Sequence, residues 1–453
     1  MKSMFVVARW RPLGESESEQ GEFSHTTKLA NGGFMSSISI TGNQTAAKNQ
    51  SWTSPAAFRE VFQPDENNKD VYNAIVIPSM PHVLEGGRSS FFAYGHSGSG
   101  KTHTIIGYEN NEPGLCLMAA WELFDHVTAW NSRLDTNNTA DNDKRLGLGF
   151  SLFELRKKSA FDLLNNHKEC HVRQGADGKV HIRGETEMLE GGKVRVCPIV
   201  QKYCWTFDEF QQNITTALAR RSVGSSSVHD QSSRTHAILE LEIVCSSLVE
   251  ARQAVVERQS ELVPVGKRAT DIMVEEQTKG VVPVPGGSWA PNPDYTTNQK
   301  RIDAAEAEKN EFEARVTAAE EKVDAILKDR FAFCLGGKMV FVDLAGAEYH
   351  QDKSSPASRQ PALKQTPQER QEGQQINTDL LALKEVMRAW STNQPRIPFR
   401  SSTLTMVLRE HFMASDGGHS TMIVTVSPSS DQYAATLNSL KYGSLVGVAK
   451  GLF

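Results

Sequence analysis

Residues 95–102 read Gly95-His96-Ser97-Gly98-Ser99-Gly100-Lys101-Thr102, a match to G-x-x-x-x-G-K-[ST]. Each part of the pattern has a physical task. The glycines let the backbone bend so that several N–H groups converge on phosphate oxygens. Lys101 adds a point charge at the β/γ-phosphates, and Thr102 offers a hydroxyl to Mg²⁺. His96, Ser97 and Ser99 fill the variable positions of the loop. The preceding Ser90–Tyr94 is short, apolar and aromatic and reads as a strand, while the segment after Thr102 reads as a helix whose dipole adds to the anion site. Strand, glycine loop, helix is the setting in which this pattern acts as a phosphate cradle.

Two further segments supply what a phosphate site needs. Lys338–Asp343 is an apolar strand ending in a carboxylate, followed by Leu344-Ala345-Gly346. Asp343 is placed near Mg²⁺, and the Gly346 N–H is placed to bond a terminal phosphate. Ser232-Ser233-Arg234-Thr235-His236 brings hydroxyls and a guanidinium just before the strand Ala237–Val244. The guanine-reading NKxD is absent after the loop, which excludes a GTPase of that type.

Outward from these segments, strands and helices alternate along the chain, the pattern of an α/β sheet with helices on both faces. Met4–Ala8 and Met35–Ile40 read as strands, and Asp70–Leu84 as a helix kinked by Pro78 and Pro81. From about Ser246 to Gly337 the rhythm breaks. Ile302, Ala305, Lys309, Phe312, Val316, Ala319, Val323 and Ile326 recur at alternating spacings of three and four, a heptad seam with a lysine in it. Leu248, Val255 and Leu262 suggest a second, shorter helix, and the Pro- and Gly-rich Val281–Asn298 reads as a flexible connection. The expected organisation is 1–245 and 338–453 as two parts of one domain, with 246–337 inserted. A surface helical hairpin and a partner-binding coiled coil remain the two readings of the insertion. Because it joins the start of one site strand to the far end of another, it is expected opposite the phosphate site.

Composition narrows the partners. The 453 residues carry 49 Lys+Arg and 54 Asp+Glu, a formal net charge of −5, with ordinary apolar content of 39%. No overall attraction to an anionic polymer follows, so nucleic acid is not expected and any acidic partner must meet a local basic patch. No run of apolar residues is long enough to cross a membrane. The six cysteines lack a CxxC pair, which argues against a zinc site and fits a reducing, cytoplasmic setting.

Together these motifs resemble a kinesin motor domain over nearly the whole chain. Arg9-Trp10-Arg11-Pro12 resembles the family's RxRP, Phe92–Thr104 its FAYGQTGSGKTHT, Ser232–His236 its switch I, SSRSH, and Asp343–Glu348 its switch II, DLAGSE. Ile376-Asn377 with Leu380–Leu383, Arg396–Arg400, and Thr436–Tyr442 resemble later family motifs in the same order. Glu85-Gly86-Gly87, Thr102-His103, Lys384-Glu385 and Pro398-Phe399-Arg400 are similar to the internal-motor, microtubule-depolymerising branch, although that branch's Lys-Val-Asp is missing from residues 14–57.

The resemblance implies a P-loop kinesin-type α/β motor with a mostly parallel central sheet, ATP/ADP and Mg²⁺ as ligands, and tubulin as partner. It implies an ATPase used for microtubule-based movement or end depolymerisation, located on the cytoskeleton, the spindle included. By the same carry-over, Pro12 and His103 flank the adenine with Arg9 and Arg11 beside it. Ser233 closes onto Mg²⁺, Ser232 lies near the γ-phosphate, and Arg234 with Glu348 forms the salt bridge that closes the site. Lys384, Arg388, Arg396, Arg400 and Arg409, against Glu385 and Glu410, form the basic face for an acidic polymer. The chain departs from the family pattern at His229, Gln231, Ala347, Tyr349 and Asp379, and His229 with Tyr349 keeps a second reading open, a nucleotide-binding microtubule adaptor with weak or no turnover.

Overall fold

The computed structural model describes residues 3–30, 33–42, 51–108, 112–136, 142–175, 178–222, 234–284, 287–329, 332–347, 367–392, 394–413 and 419–448. Its strands form where apolar residues alternate or run together. In chain order, β1 (Ser3–Trp10) precedes a small antiparallel sheet of β2 (Ser24–Leu29), β3 (Ser36–Thr41) and β4 (Ser51–Thr53), then β5 (Glu60–Phe62). Helix α1 (Asn68–Ile75) starts on Asn67, whose side chain accepts from the N–H groups of Lys69 and Asp70. The expected kink is present: a 3-10 turn carrying Pro78 separates α1 from α2 (Met80–Leu84).

β6 (Arg88–Tyr94) leads through residues 95–100 into α3 (Lys101–Ile105). A two-residue pair, β7 (Gly107–Tyr108) and β8 (Glu112–Pro113), precedes the long α4 (Leu115–Thr136). Next come β9 (Leu146–Arg156), β10 (Ser159–Asp162), β11 (Lys168–Gln174), β12 (Val180–Met188), β13 (Val194–Pro198) and β14 (Lys202–Cys204). After α5 (Phe207–Ser222) and β15 (His236–Cys245) come α6 (Ser246–Lys279), β16 (Val281–Val284), β17 (Ser288–Pro291) and α7 (Gln299–Lys328). The chain continues with β18 (Lys338–Asp343), α8 (Pro367–Ser391), α9 (Thr403–Val407), α10 (Arg409–Met413), β19 (His419–Val426) and α11 (Tyr433–Val448).

The main sheet runs β13-β12-β11-β10-β9-β15-β18-β6-β19-β1-β5, with β14 beside β9. Strands β18, β6, β19, β1 and β5 are mutually parallel, while every pairing from β18 outward through β15 to β13 is antiparallel. The sheet is therefore mixed, where a mostly parallel one was expected. Short hairpins such as β9–β10 connect antiparallel neighbours without a crossover helix, and that half of the sheet is built from them.

Alternation along each strand divides the core. Phe91, Phe341 and Leu241 face α1, α4 and α5, whereas Phe92, Val340, Val342 and Ile238 face α8, α9 and α11. Helices cover both faces, as expected. Among the described residues no helix is long and apolar enough to cross a membrane.

The inserted segment is a long antiparallel helix pair. The heptad positions Ile302, Ala305, Lys309, Phe312, Val316, Ala319, Val323 and Ile326 are the shielded side of α7, and α6 packs along that helix. Two expectations need correction. The second helix is longer than α7, because α6 carries Pro264 within its 34 residues without ending. The connection is an ordered β-ribbon, since Val281–Val284 pairs with Ser288–Pro291. β-Branched residues there outweigh the Pro and Gly that suggested a flexible link.

The insertion leaves the sheet at Cys245 and returns at Lys338. At its root the buried Glu242 accepts two bonds from Arg252 (2.8 and 2.7 Å) and one from Gln201 (3.0 Å), with Lys338 at 3.5 Å. Cys245 and Lys338 lie at the strand ends opposite His236 and Asp343, on the side away from the loop at residues 95–102.

Candidate functional site

Parallel β6 and β18 end side by side, with Ala93 registered against Asp343, so their following segments share one crevice. Gly100 takes φ +98°, a left-handed conformation open to glycine, and turns the chain into α3. That helix has only five residues, so its dipole adds little. The lysine and the loop N–H groups must do most of the work expected of it.

Lys101 is fully buried and donates to the His96 carbonyl at 2.7 Å. Burial, with Arg221 nearby and Asp343 opposing, lowers its pKa to about 8. Thr102 Oγ1 donates to Asp343 Oδ2 at 2.8 Å. The other carboxylate oxygen, Asp343 Oδ1, is buried without a hydrogen-bond partner among the described residues. An anionic oxygen left bare, a hydroxyl beside it and an ammonium behind it suit a hydrated Mg²⁺ and the phosphates it accompanies.

Around this centre the rest of the loop is tied down. His96 is buried, its Nδ1 lies 2.8 Å from the Ser97 carbonyl and its Nε2 3.4 Å from Thr436 Oγ1. Burial brings its pKa to about 4, so it is a neutral brace between the loop and α11. Ser99 Oγ lies 2.7 Å from Thr425 Oγ1. Gly346 meets the loop directly: a Cβ there would stand 2.8 Å from Ser97 N, so only glycine allows the approach. The Ala347 N–H donates to the Gly95 carbonyl at 3.1 Å, completing the seam between the two motifs.

The residues expected at the base site are arranged less openly. Arg9 is buried and donates to Asn68 Oδ1, to Thr104 Oγ1 at 2.8 Å and to the Glu66 carbonyl at 3.5 Å. It therefore braces β1 against α1 and α3. Arg11 pairs with Glu17 at 2.5 Å, while Pro12 is exposed. His103 Nε2 lies 3.1 Å from Glu112 Oε2, and Asn68 bonds its carbonyl at 3.0 Å, which brings His103 and Arg9 onto one bracket.

Ser232, Ser233 and Glu348 lie outside the described residues, as do His229, Gln231 and Tyr349. Arg234 is described, and it faces Glu372 of α8 at 3.8 Å. Arg156 approaches the same carboxylate at 2.5 Å and Lys157 at 3.8 Å.

Sequence reasoning missed the cation that holds Asp343. Arg221, at the end of α5 and fully buried, donates to Asp343 Oδ2 at 2.9 Å and to Glu154 Oε1 at 2.7 Å. Thr235 donates to the same Glu154 oxygen at 2.8 Å, and His167 lies 3.3 Å from the other. One signal was available: Glu154 is the single carboxylate in the apolar run Leu146–Leu155, and a buried charge demands a partner. His236 opens β15 next to Thr235. Its Nδ1 accepts from the Ala345 N–H at 3.0 Å, and burial beside Lys101 and Arg221 brings its pKa to about 3, so it is a neutral acceptor holding the start of the second motif.

The basic face divides in two. Lys384 lies 5.8 Å from the Tyr442 ring centroid, toward α11, while Arg388 and Arg396 are exposed. Arg400 Nε donates to Gln174 Oε1 and Arg409 Nη1 to the Gly178 carbonyl, both at 3.0 Å, so these two reach the ends of the loop between β11 and β12.

Comparison with known proteins adds the family. The description "Kinesin motor domain" matches residues 9–265 and 312–447. The chain is 25% identical over 448 residues to the kinesin-like protein KIF24 of Mus musculus, covering 98% of this chain and 24% of that protein. It is 28% identical to KIN-13B of Arabidopsis thaliana, over 98% of this chain and 47% of the relative. For KIN-13A of Oryza sativa subsp. japonica the identity is 29%, over 87% and 35%. The chain thus spans between about a quarter and a half of these relatives' lengths. Among solved structures, a fast kinesin superposes with a TM-score of 0.58 at 20% identity, covering 98% of this chain and 91% of that one. The motor domain of the Kar3-like kinesin from Ashbya gossypii gives 0.56 at 19%, covering 98% and 99%; at these identities the likeness shows the fold.

Proposed function

The chain belongs to the kinesin motor-domain family, and from that premise we propose that it is an ATP-hydrolysing, microtubule-binding motor. The family in general binds nucleotide with Mg²⁺ and microtubules. The observation that carries the reading for this chain is Asp343, held through one oxygen by Arg221 and Thr102 with its other oxygen buried and without a partner among the described residues.

In this reading Lys101 turns from the His96 carbonyl to the β/γ-phosphates, and its buried charge gains the anion it lacks. Thr102 swings its hydroxyl from Asp343 to the metal, while Arg221 keeps the Asp343 carboxylate aimed at the metal's water shell. Mg²⁺, when bound, would neutralise charge on the β- and γ-phosphate oxygens while a water oxygen bonds the γ-phosphorus and the bond from that phosphorus to the bridging oxygen breaks. The Gly346 N–H bonds the γ-phosphate. Ser232 and Ser233 close over it, and Arg234 exchanges Glu372 for Glu348 as the latch shuts. Because Glu372 belongs to α8, which also carries Lys384 and Arg388, releasing it hands the nucleotide state to the microtubule face.

The motor is proposed to occupy 1–245 and 338–453, interrupted by 246–337. Its internal-motor-like motifs and its similarity to KIN-13 relatives favour action at microtubule ends over stepping along the lattice. The test of the site is nucleotide binding by fluorescence titration with and without a Mg²⁺ chelator. Lys101→Ala should weaken ATP binding by about tenfold or more, the worth of a hydrogen bond to a charged group. Unchanged affinity in Lys101→Ala would remove the loop from the account.

A further inference from the structure

The turn from β10 to β11 holds a histidine in a conformation that suits glycine. Asn166 and His167 both lie in the left-handed region, at φ 53° and 58°. The Lys168 N–H donates to the Asn165 carbonyl at 3.0 Å and closes the turn over them. Asparagine adopts this region readily and glycine would adopt it at no steric cost, yet the second position carries an imidazole. Strain retained at such a position points to work done by the side chain. The ring stacks on Phe161, with centroids 5.0 Å apart and planes at 19°, and its Nε2 lies 3.3 Å from Glu154 Oε2.

Glu154 joins two sides of the crevice. Its Oε1 accepts from Arg221 Nε at 2.7 Å, and Arg221 Nη1 continues to Asp343 Oδ2 at 2.9 Å. The same Glu154 oxygen accepts at 2.8 Å from Thr235, the residue that follows Ser232-Ser233-Arg234. A carboxylate held through one oxygen is free to turn about its last torsion, which has no sharp preference. An Nε2–H from His167 on the other oxygen fixes that plane. It also keeps the group charged: burial disfavours the Glu154 anion, and the bond from His167 is the largest single interaction opposing that effect. The other charges around the turn are engaged elsewhere. Lys168 pairs with Glu185 at 2.6 Å, Asp162 accepts from the N–H groups of Leu164, Asn165 and Val200, and Arg220 donates to the Leu163 carbonyl at 2.7 Å. His167 is also the partner that reaches solvent, with 39% of its side chain exposed against 4% for Arg221.

We propose that His167 is a positioning residue of the nucleotide site: by fixing the Glu154 carboxylate it keeps Arg221 aimed, and through Arg221 it sets the direction in which Asp343 meets Mg²⁺. This rests on the reading of Asp343 as the carboxylate of the metal shell. The histidine touches neither nucleotide nor metal, and its effect arrives through two buried side chains.

His167→Gly suits the backbone and removes the donor, so a turn-forming role and a positioning role give opposite results. ATP binding by the full chain, followed by fluorescence while Mg²⁺ is titrated, is the first measurement. The glycine variant should need about tenfold more Mg²⁺ for half-saturation, the low end of what outer partners of a metal ligand contribute, with affinity in a Mg²⁺ chelator unchanged. His167→Gln returns an N–H donor and should recover most of that loss. The second measurement needs no nucleotide. Without the His167 bond the Glu154 pKa rises, so on acidification the melting temperature of the glycine variant should begin to fall at a higher pH than the parent's. A parental Mg²⁺ requirement or an unmoved acid transition in the glycine variant, or no recovery in the glutamine variant, would overturn the proposal. A parent chain whose ATP binding ignores Mg²⁺ would instead remove the metal reading, and the proposal with it.

Discussion

Replacing Arg221 with methionine keeps most of the side chain's volume and removes its charge. In the native site that guanidinium is 4% exposed and lies between Glu154, 6% exposed, and Asp343, 2% exposed. Taking it away strands two buried carboxylates, and breaking a buried ion pair from one side costs about 3–5 kcal/mol. Unfolding entropy for 453 residues is roughly 1 kcal/mol/K near the midpoint, so the melting temperature should fall by about 3–5 °C. The effect should depend on pH in a stated direction. Burial disfavours the Glu154 charge, yet His167, Arg221 and Thr235 hold its pKa below the ordinary value of 4.5. Its contribution is therefore fully present above that value in the native protein and is lost as pH falls through the depressed one. In the variant Glu154 protonates more readily, so the gap in melting temperature should be widest at high pH and close as pH falls, from the variant's raised pKa down to the depressed one of the native protein. Scanning calorimetry at a series of pH values reads both. A variant as stable as the parent at pH 7, or a gap that widens in acid, would refute the argument that Arg221 compensates these carboxylates.

Further outcomes follow from the same geometry. Lys101 has its pKa lowered to about 8 without a bound anion. Phosphate should raise it, so ATP affinity should hold below pH 8 and fall above it by at most about tenfold per unit, checked by titration at pH 7–10. Arg252→Ala strips Glu242 of its two charged bonds at the root of the insertion. Stability should drop by about 3 kcal/mol, and amide exchange should quicken at the start of α6 while nucleotide affinity stays unchanged. Microtubule affinity resting on Arg388 and Arg396, both exposed, should fall steeply between low and physiological salt in co-sedimentation.

Much of the site is local and therefore legible in sequence. A glycine loop between a strand and a helix needs only neighbouring residues to form, and β6 and α3 flank residues 95–100 as read. The heptad seam of α7 was legible for the same reason, since its period records one shielded face. Residues whose roles depend on distant partners were not. Arg221 is one of two adjacent arginines ending α5, and only the packing of α5 on β9 and β18 decides which is buried. Arg9 matched a nucleotide-site motif, yet Asn68 and Thr104 claim its guanidinium, because a buried arginine takes the acceptors packed around it. Glu372 lay outside every quoted motif and gathers Arg156 and Arg234 through the fold alone.

The central claim is that nucleotide state and microtubule binding are coupled through this one site. Phosphate release measured on the unaltered chain, with Mg²⁺–ATP and with or without stabilised microtubules, tests it most directly. Release should rise several-fold above the basal rate when microtubules are added and should lose that rise in Lys101→Ala. Microtubules that bind the chain without changing its phosphate release would contradict it and leave a nucleotide-binding adaptor in its place.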